Sequence, residues 1–369
     1  MNVLDRLPAE LITEVFAYLP PSDLISCTRV CPQWGVLAQQ FHLWSKLYWE
    51  TIPRVIWLDQ SMVQNIDLSG VEKIGNTDNA DQENSRSRAQ QLEQFFIRLY
   101  SNTAPLNRSW SPLPRPVPTP STDHQCTMLG PAIDQPDFSE TFFRSLLRWV
   151  DVETCGRFLS ENVPIRGSTN CSWAGLGLPL RIPNGRSGEA FRLVILHART
   201  KTARASLPFG GDRVRGSSLV NIDNSGSFVS VTLTPEAAAT ISQSDSVVYT
   251  VDLHTNEEQA NSAASYSAER WEQMRLELNA VTSAMSNQRK LVVLGLQRTA
   301  SCDRDSYIGP YTVARQLDPG DSLTQTVKPL RKSSLNWRVW STSADEVNSS
   351  HLEQIFSWLI DDDLPVKEK

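Results

Sequence analysis

Near the N-terminus, apolar residues recur at helical spacing. In LPAELITEVFAYLP, Leu11, Val15 and Leu19 return every fourth residue with Ile12 and Phe16 beside them, which predicts a helix with a broad apolar stripe. Pro8 falls in the first turn, where a helix tolerates proline, and Pro20-Pro21 stops the helix. Ser22 or Asp23 is placed to cap a second helix, whose stripe is Leu24, Cys27, Val30, Cys31 and Trp34. About 45 residues make too small an independent core, so part of this surface is expected to bury against another chain. SKLYWETIPRVIW is aromatic enough to continue a packed helical layer. From Gly75 to Gln91 no large apolar residue occurs, which predicts a mobile loop. LEQFFIRLY then gives a short amphipathic helix with Leu92, Phe95, Phe96 and Leu99 on one side.

From Phe191 onward the period changes. RLVILH, SVVYTVD, KLVVLGL and NWRVWS are nearly continuous in apolar residues, as strands covered on both faces are. YSAERWEQMRLELNAVTSAM carries Trp271, Met274, Leu278 and Val281 at helical spacing, and HLEQIFSWLI carries Leu352, Ile355, Phe356 and Leu359. Strands alternating with helices predict a mainly parallel sheet with helices on both sides. SLVNID and SFVSVTL, separated by Asn224-Ser225-Gly226, form the exception and predict a hairpin. The expected fold class is therefore a multidomain α plus α/β protein.

Composition narrows the function more than the fold. At 369 residues, 40% of them hydrophobic and 21% charged, the chain has room for two or three domains with buried cores. A net charge of -6 argues against a nucleic-acid binder, and no apolar run is long enough to span a bilayer. Six cysteines at irregular spacing suit reduced thiols in cytosol or nucleus. Cys27 and Cys31 share one helical face at x3 spacing, but no second Cys or His pair follows at ligand distance, so packing is expected rather than zinc. In WSPLPRPVPTP the prolines at 112, 114, 116, 118 and 120 alternate and no two stand three apart, which favours a stiff spacer over an SH3 ligand. Ser111-Pro112 and Thr119-Pro120 fit a proline-directed kinase, as many inert exposed pairs do. No G-x-S-x-G occurs and the five histidines sit singly, so hydrolase chemistry is set aside; His197 and His254 are expected to be structural.

Leu7-Pro8, Leu11-Ile12, Val15-Phe16, then Leu24, Val30-Cys31, Trp34 and Trp44 fall in an order that resembles the F-box motif. The resemblance implies a three-helix module that docks on the Skp adaptor and so joins cullin and RING subunits of a ubiquitin ligase. It places Leu7, Pro8, Leu11, Ile12, Val15, Phe16, Leu24, Val30 and Trp34 as adaptor-binding positions. An ordinary helical hairpin that packs only on itself is the alternative.

One strand, an antiparallel hairpin and three strand-helix units is an order that resembles the small-GTPase fold, and NWRVWSTSADEVNSSHLEQIFSWL looks like its closing strand, Ser-Ala loop and terminal helix. The nucleotide chemistry does not follow. A phosphate loop needs G-x-x-x-x-G-K-[ST] because backbone N–H groups must wrap the phosphates. With Lys201-Thr202 at its end, the glycine positions hold Ile195 and Thr200. After KLVVLGL the base-reading loop is Gln297-Arg298-Thr299-Ala300, without a carboxylate, and TPEAAATIS lacks the Asp-x-x-Gly that holds magnesium. Only Ser343-Ala344 survives. Arg199, Lys201, Arg204, Arg213 and Arg215 form a basic loop, opposed by Asp212, that suits a phosphate or acidic partner or is simply solvated.

Together these features resemble the family of F-box proteins that carry an atypical small-GTPase-like domain. The expected organisation is an F-box at 1–47, a helical linker at 48–104, a proline-rich connector at 105–124 and a GTPase-like substrate domain at 125–369. The resemblance implies a non-catalytic substrate receptor with no cofactor, no metal, no direct nucleic-acid contact and no membrane. Its implied targets include telomere-repeat-binding factor and D-type cyclins. Strand addition at a sheet edge is one way to hold a target; the expected edges are Ser218, Leu219, Val220 and Asn221, or Trp337, Arg338, Val339 and Trp340. A nucleotide-switched GTPase recruited to the ligase and an F-box scaffold outside any ligase are the alternatives.

Overall fold

Proline starts the helices of the N-terminal unit. Helices α1 (Ala9–Phe16), α2 (Pro21–Cys27) and α3 (Pro32–Ala38) follow Pro8 as N-cap or begin on Pro21 and Pro32 at the first helical position, where the missing N–H has no intrahelical partner to lose. The computed structural model describes residues 7–51, 57–59, 82–103, 124–135, 141–142, 144–146, 176–181, 190–198, 214, 217–223, 230–253, 263–285, 289–297, 308–317, 335–343 and 349–360. The chain divides into two compact units, residues 1–55 with 59–114, and 56–58 with 115–369.

Several local expectations change in the first unit. No side chain caps α2, because Pro21 starts it without help from Ser22 or Asp23. The helix ends at Cys27, so Cys27 and Cys31 do not share a helical face. Cys31 is instead the N-cap of α3, its Sγ accepting the Trp34 N–H at 3.5 Å. Gly35 lets α3 lie close to the α2 end; a Cβ there would stand 3.2 Å from the Thr28 carbonyl oxygen. Helix α4 (Phe41–Thr51) follows, and Trp44 Nε1 donates to the Ala38 carbonyl at 2.7 Å.

Helix α5 runs from Gln82 to Thr103, so the predicted loop at 75–91 is helical from residue 82; its earlier part lies outside the described residues. Gln, Glu, Arg and Ala are good helix formers, and the buried run of Ala89, Leu92, Phe95, Phe96 and Leu99 anchors the polar half to the core. Phe96 meets Trp44 at 5.7 Å and Phe95 meets Tyr48 at 5.3 Å between ring centroids. The expected F-box and helical linker are thus one packed unit, with α5 against α2 and α4. The proline-rich connector lies outside the described residues, as do Ser111 and Thr119.

The second unit is built on a seven-stranded sheet. Its strands are β1 (Trp57–Asp59), β2 (His124–Leu129), β3 (Leu176–Arg181), β4 (Ala190–Ile195), β7 (Ser246–Asp252), β8 (Lys290–Gln297) and β9 (Asn336–Ser343), in the spatial order β1-β9-β8-β7-β2-β4-β3. β9, β8, β7, β2 and β4 run parallel to one another, and β3 runs antiparallel to β4. Every residue of β7 is buried, as its nearly continuous apolar run predicts, and the buried set includes the polar Ser246, Thr250 and Asp252. The expected strands, the parallel sheet and the two long amphipathic helices are present. α8 (Ala263–Ala284) buries Trp271, Met274, Leu278 and Val281, and α10 (Ser349–Ile360) buries Leu352, Ile355, Phe356 and Leu359. Short helices α6 (Pro131–Asp134), α7 (Pro235–Gln243) and α9 (Pro310–Leu317) complete the unit.

Three placements differ from expectation. The sheet begins with β2, not with the Phe191 strand, which is β4. The hairpin β5 (Val220–Asp223) and β6 (Ser230–Leu233) is antiparallel as predicted, but it forms its own two-stranded sheet. Ser218–Asn221 is therefore not an edge of the main sheet; Ser218 N–H and Oγ both bond the Ala198 carbonyl, and Leu219 and Val220 are buried. Nor is NWRVWS an open edge, because β1 lies beside β9. Trp57 is in this strand rather than in a helix, stacked on Trp340 at 5.7 Å, with Arg338 between the rings of Trp57 and Trp358 at 4.5 and 4.7 Å. Trp337, Val339 and Trp340 are buried.

His351 on α10, 3.4 Å from Thr342 Oγ1 through Nδ1, has its pKa held below the usual 6.5 by burial. Its neutral form therefore stabilises the fold above pH 6.5, and that contribution is lost as pH falls through the folded-state value. The expected result is a melting temperature that drops between pH 7 and 5, with a shallower drop in His351→Gln. His42 shifts in the same direction, so the difference between variant and parent is the quantity to read.

Candidate functional site

Helix α1 turns two apolar sides to different surroundings. Leu11 and Val15 are 46% and 51% exposed, and Tyr18, one turn further on, is 80% exposed. Ile12 and Phe16, about 100° round the helix from them, are buried in the helical unit, where Phe16 meets Trp34 edge-on at 5.4 Å. Val30 and Val36 are 61% and 66% exposed. These five are the exposed large hydrophobic side chains among the described residues, and all lie between residues 11 and 36. A cavity of about 750 Å³ opens beside Val36, lined among others by Gln39, Phe41, His42 and Arg86.

The predicted positions divide accordingly. Pro8, Leu11, Val15 and Val30 are exposed, and Leu7 and Trp34 are half-buried. Ile12, Phe16 and Leu24 belong to the core, because a stripe broader than one helix face must spend one side on its own unit. Tyr18 and Val36 were not among the predicted positions. Tyr18 had a signal in the sequence, since it follows Leu11 and Val15 at i+7 and i+3; the turn of α3 that exposes Val36 had none.

The second place to look is the sheet's switch point. The chain leaves β2 for β3 and β4 on one side and for β7, β8 and β9 on the other, and open α/β sheets bind ligands in the crevice at the carboxyl end of such a strand. Among the described residues, the turn after β2 packs tightly on β7 there. Gly130 has φ of 125°, and a Cβ on it would stand 2.3 Å from the Thr250 carbonyl oxygen and 2.6 Å from its nitrogen. Thr250 Oγ1 donates to the Leu129 carbonyl at 3.1 Å and accepts from Ile133 N–H at 3.2 Å. Pro131 has no N–H to offer. The buried Asp134 carboxylate accepts from Ala198 N–H at 3.1 and 3.2 Å, with His197 Nδ1 at 3.3 Å.

This arrangement moves the nucleotide question to a different loop. The strand at the switch point is β2, whereas Lys201-Thr202 comes after β4; both residues lie outside the described ones. The loop after β2 is Gly130-Pro131-Ala132-Ile133-Asp134, which has no lysine, spends its Ile133 N–H on Thr250 and places a carboxylate where an anion would need donors. TPEAAATIS forms α7. His197 braces Asp134, in keeping with a structural role. Arg199, Arg204, Arg213, Arg215, His254, Ala344 and Arg298 to Ala300 lie outside the described residues.

Residues 4–49 match the F-box-like family. They are an F-box-like domain. Along 45 residues the chain is 42% identical to F-box/LRR-repeat protein 5 of Salmo salar, a match that takes up 12% of this chain and 6% of that relative. The F-box-like domain covers α1, α2, α3 and most of α4. All five of the exposed large apolar side chains just described belong to it. Helix α5 packs on the F-box-like domain from beyond the matched residues, and no helix among those described is long and apolar enough to cross a membrane.

Proposed function

We propose that this protein is the substrate receptor of an SCF ubiquitin ligase, of the same kind as F-box only protein four. The observation that carries the proposal is the concentration of exposed large apolar side chains on the F-box-like domain. An apolar face of this kind on a soluble unit fits a protein partner, and F-box domains take the Skp adaptor. Through the adaptor the chain meets cullin and RING subunits, which carry out ubiquitin transfer. Its own contribution is proximity, raising the effective concentration of a target lysine near the charged enzyme.

The α/β unit is assigned to the target. Its strand order agrees with a Ras-like sheet whose first strand is β2, and the close packing of Gly130 on Thr250 and the buried carboxylate of Asp134 in the turn after β2 favour a binding platform over a nucleotide switch. Strand addition remains the proposed mode, with the outer side of β5 as the available part of the expected Ser218–Asn221 edge. Telomere-repeat-binding factor and D-type cyclins are the targets to try first.

The test is co-elution of purified full-length chain with the Skp adaptor, followed by cullin capture. Failure to co-elute removes the receptor role; co-elution without cullin favours a scaffold. Calorimetry with GTP, GDP and ATP in magnesium is expected to give no heat of binding. Micromolar or tighter affinity, roughly 8 kcal/mol of binding free energy, would falsify the platform assignment.

A further inference from the structure

The exposed apolar face carries one phenolic hydroxyl, on Tyr18. Among tyrosines whose burial is described, Tyr48 and Tyr249 are buried and Tyr311 is half-buried, whereas Tyr18 is 80% exposed. It lies past the last residue of α1, in the turn before Pro20, where its N–H bonds the Val15 carbonyl at 3.1 Å. Such a side chain is accessible to a modifying enzyme without unfolding any helix.

Among the described residues, Lys46 stands over its ring. Lys46 Nζ stands 5.5 Å from the ring centroid and donates to the Ala17 carbonyl at 3.4 Å, so its ammonium is held by a π face and by the C-terminal end of α1. Glu14 is exposed four residues earlier on α1. We propose that Tyr18 is a protein-tyrosine kinase site whose phosphorylation blocks adaptor docking. The proposal rests on the receptor role above.

The transfer balances with ATP as the second substrate. Tyr18 Oη attacks the γ-phosphorus, the Oη–P bond forms as the bond to the β,γ-bridging oxygen breaks, the phenolic proton passes to the kinase's carboxylate base, and ADP leaves. The product carries a charge of about -1.5 to -2. A single ammonium at Lys46 cannot neutralise it, and Glu14 adds to it. Docking Leu11 and Val15 would then require that charge to leave water along with them, whereas the neutral phenol loses little.

The experiment uses the full chain, magnesium-ATP and a broad-specificity tyrosine kinase domain. Mass spectrometry maps the phosphotyrosine, and calorimetry measures adaptor affinity before treatment, after it, and after phosphatase. Expected are modification at Tyr18, an affinity loss of about tenfold or more that phosphatase reverses, and a Tyr18→Phe variant whose own untreated affinity is unchanged by the kinase treatment. No modification at Tyr18 overturns the proposal, as does phosphorylation there with unchanged affinity, or an equal loss in Tyr18→Phe. Should the untreated chain not bind the adaptor, the receptor role falls and this regulation falls with it, an outcome visible before any kinase is added.

Discussion

Leu11→Asp combined with Val15→Asp is expected to weaken the proposed adaptor binding severely and to leave the helical unit folded. Both side chains stand about half in solvent, so the substitutions are expected to change stability by no more than about 0.5 kcal/mol each. In the complex each aspartate must lose its hydration against an apolar partner. A central interface residue typically carries about 2 kcal/mol or more, so the pair should weaken binding by roughly a thousandfold. The comparison that gives the result its meaning is Phe16→Asp on the same helix. Phe16 is buried against Trp34, and a carboxylate there should unfold the unit. Melting curves followed by circular dichroism separate the two cases. A double aspartate variant that still binds the adaptor at parental strength, while remaining folded, would remove Leu11 and Val15 from the docking face.

Gly130→Ala is the substitution expected to damage the α/β unit most for its size. Glycine tolerates φ of 125°, whereas an L side chain there is strained. The added methyl also meets Thr250 backbone atoms at 2.3 and 2.6 Å, and strand β7 cannot retreat because β8 holds its other side. Strain contributes about 1–3 kcal/mol and overpacking about 1–3 kcal/mol more. A total near 4 kcal/mol should lower the melting temperature by roughly 10 °C. Thr250→Ser keeps the hydroxyl that bridges Leu129 and Ile133 but leaves the colliding backbone atoms in place, so it should not rescue Gly130→Ala. Calorimetric melts of both variants and the double variant check this; a parental melting temperature for Gly130→Ala would show that the loop is not locked.

The helices and strands that were legible are those whose own side chains state their surroundings. β7 and β8 are apolar on both faces because neighbours cover both faces, and α8 and α10 repeat their buried positions at helical spacing. β2 sits at the centre of the same sheet and was missed. Its polar side chains are paired with groups 117 to 122 residues away: His124 with Ser246, Gln125 with Ser244 and, through its backbone N–H, with Asp245, and Thr127 with Ser244. A segment whose polarity is satisfied by another strand reads as a loop until that strand is in place. Without β2 in view, the first-strand role falls to the Phe191 strand and the hairpin role to β5 and β6, and Lys201 stands where the phosphate loop is expected, while β7, β8 and β9 keep their places. On the docking face the spacing identified the right helix but not which side of it faces water. Ile12, Phe16 and Leu24 are as apolar as Leu11 and Val15, and only the packing of α3 and α5 decides between them.

β3 ends the sheet opposite β1, and Pro179 sits in the middle of it, paired with Arg192. Proline has no N–H for a ladder, so it fits only where that position faces away from β4. An outside chain approaching this rim finds the row of donors interrupted. If the receptor role proposed above holds, target segments and further copies of the chain pass close to this rim, and the interruption makes it a poor template for adding their strands.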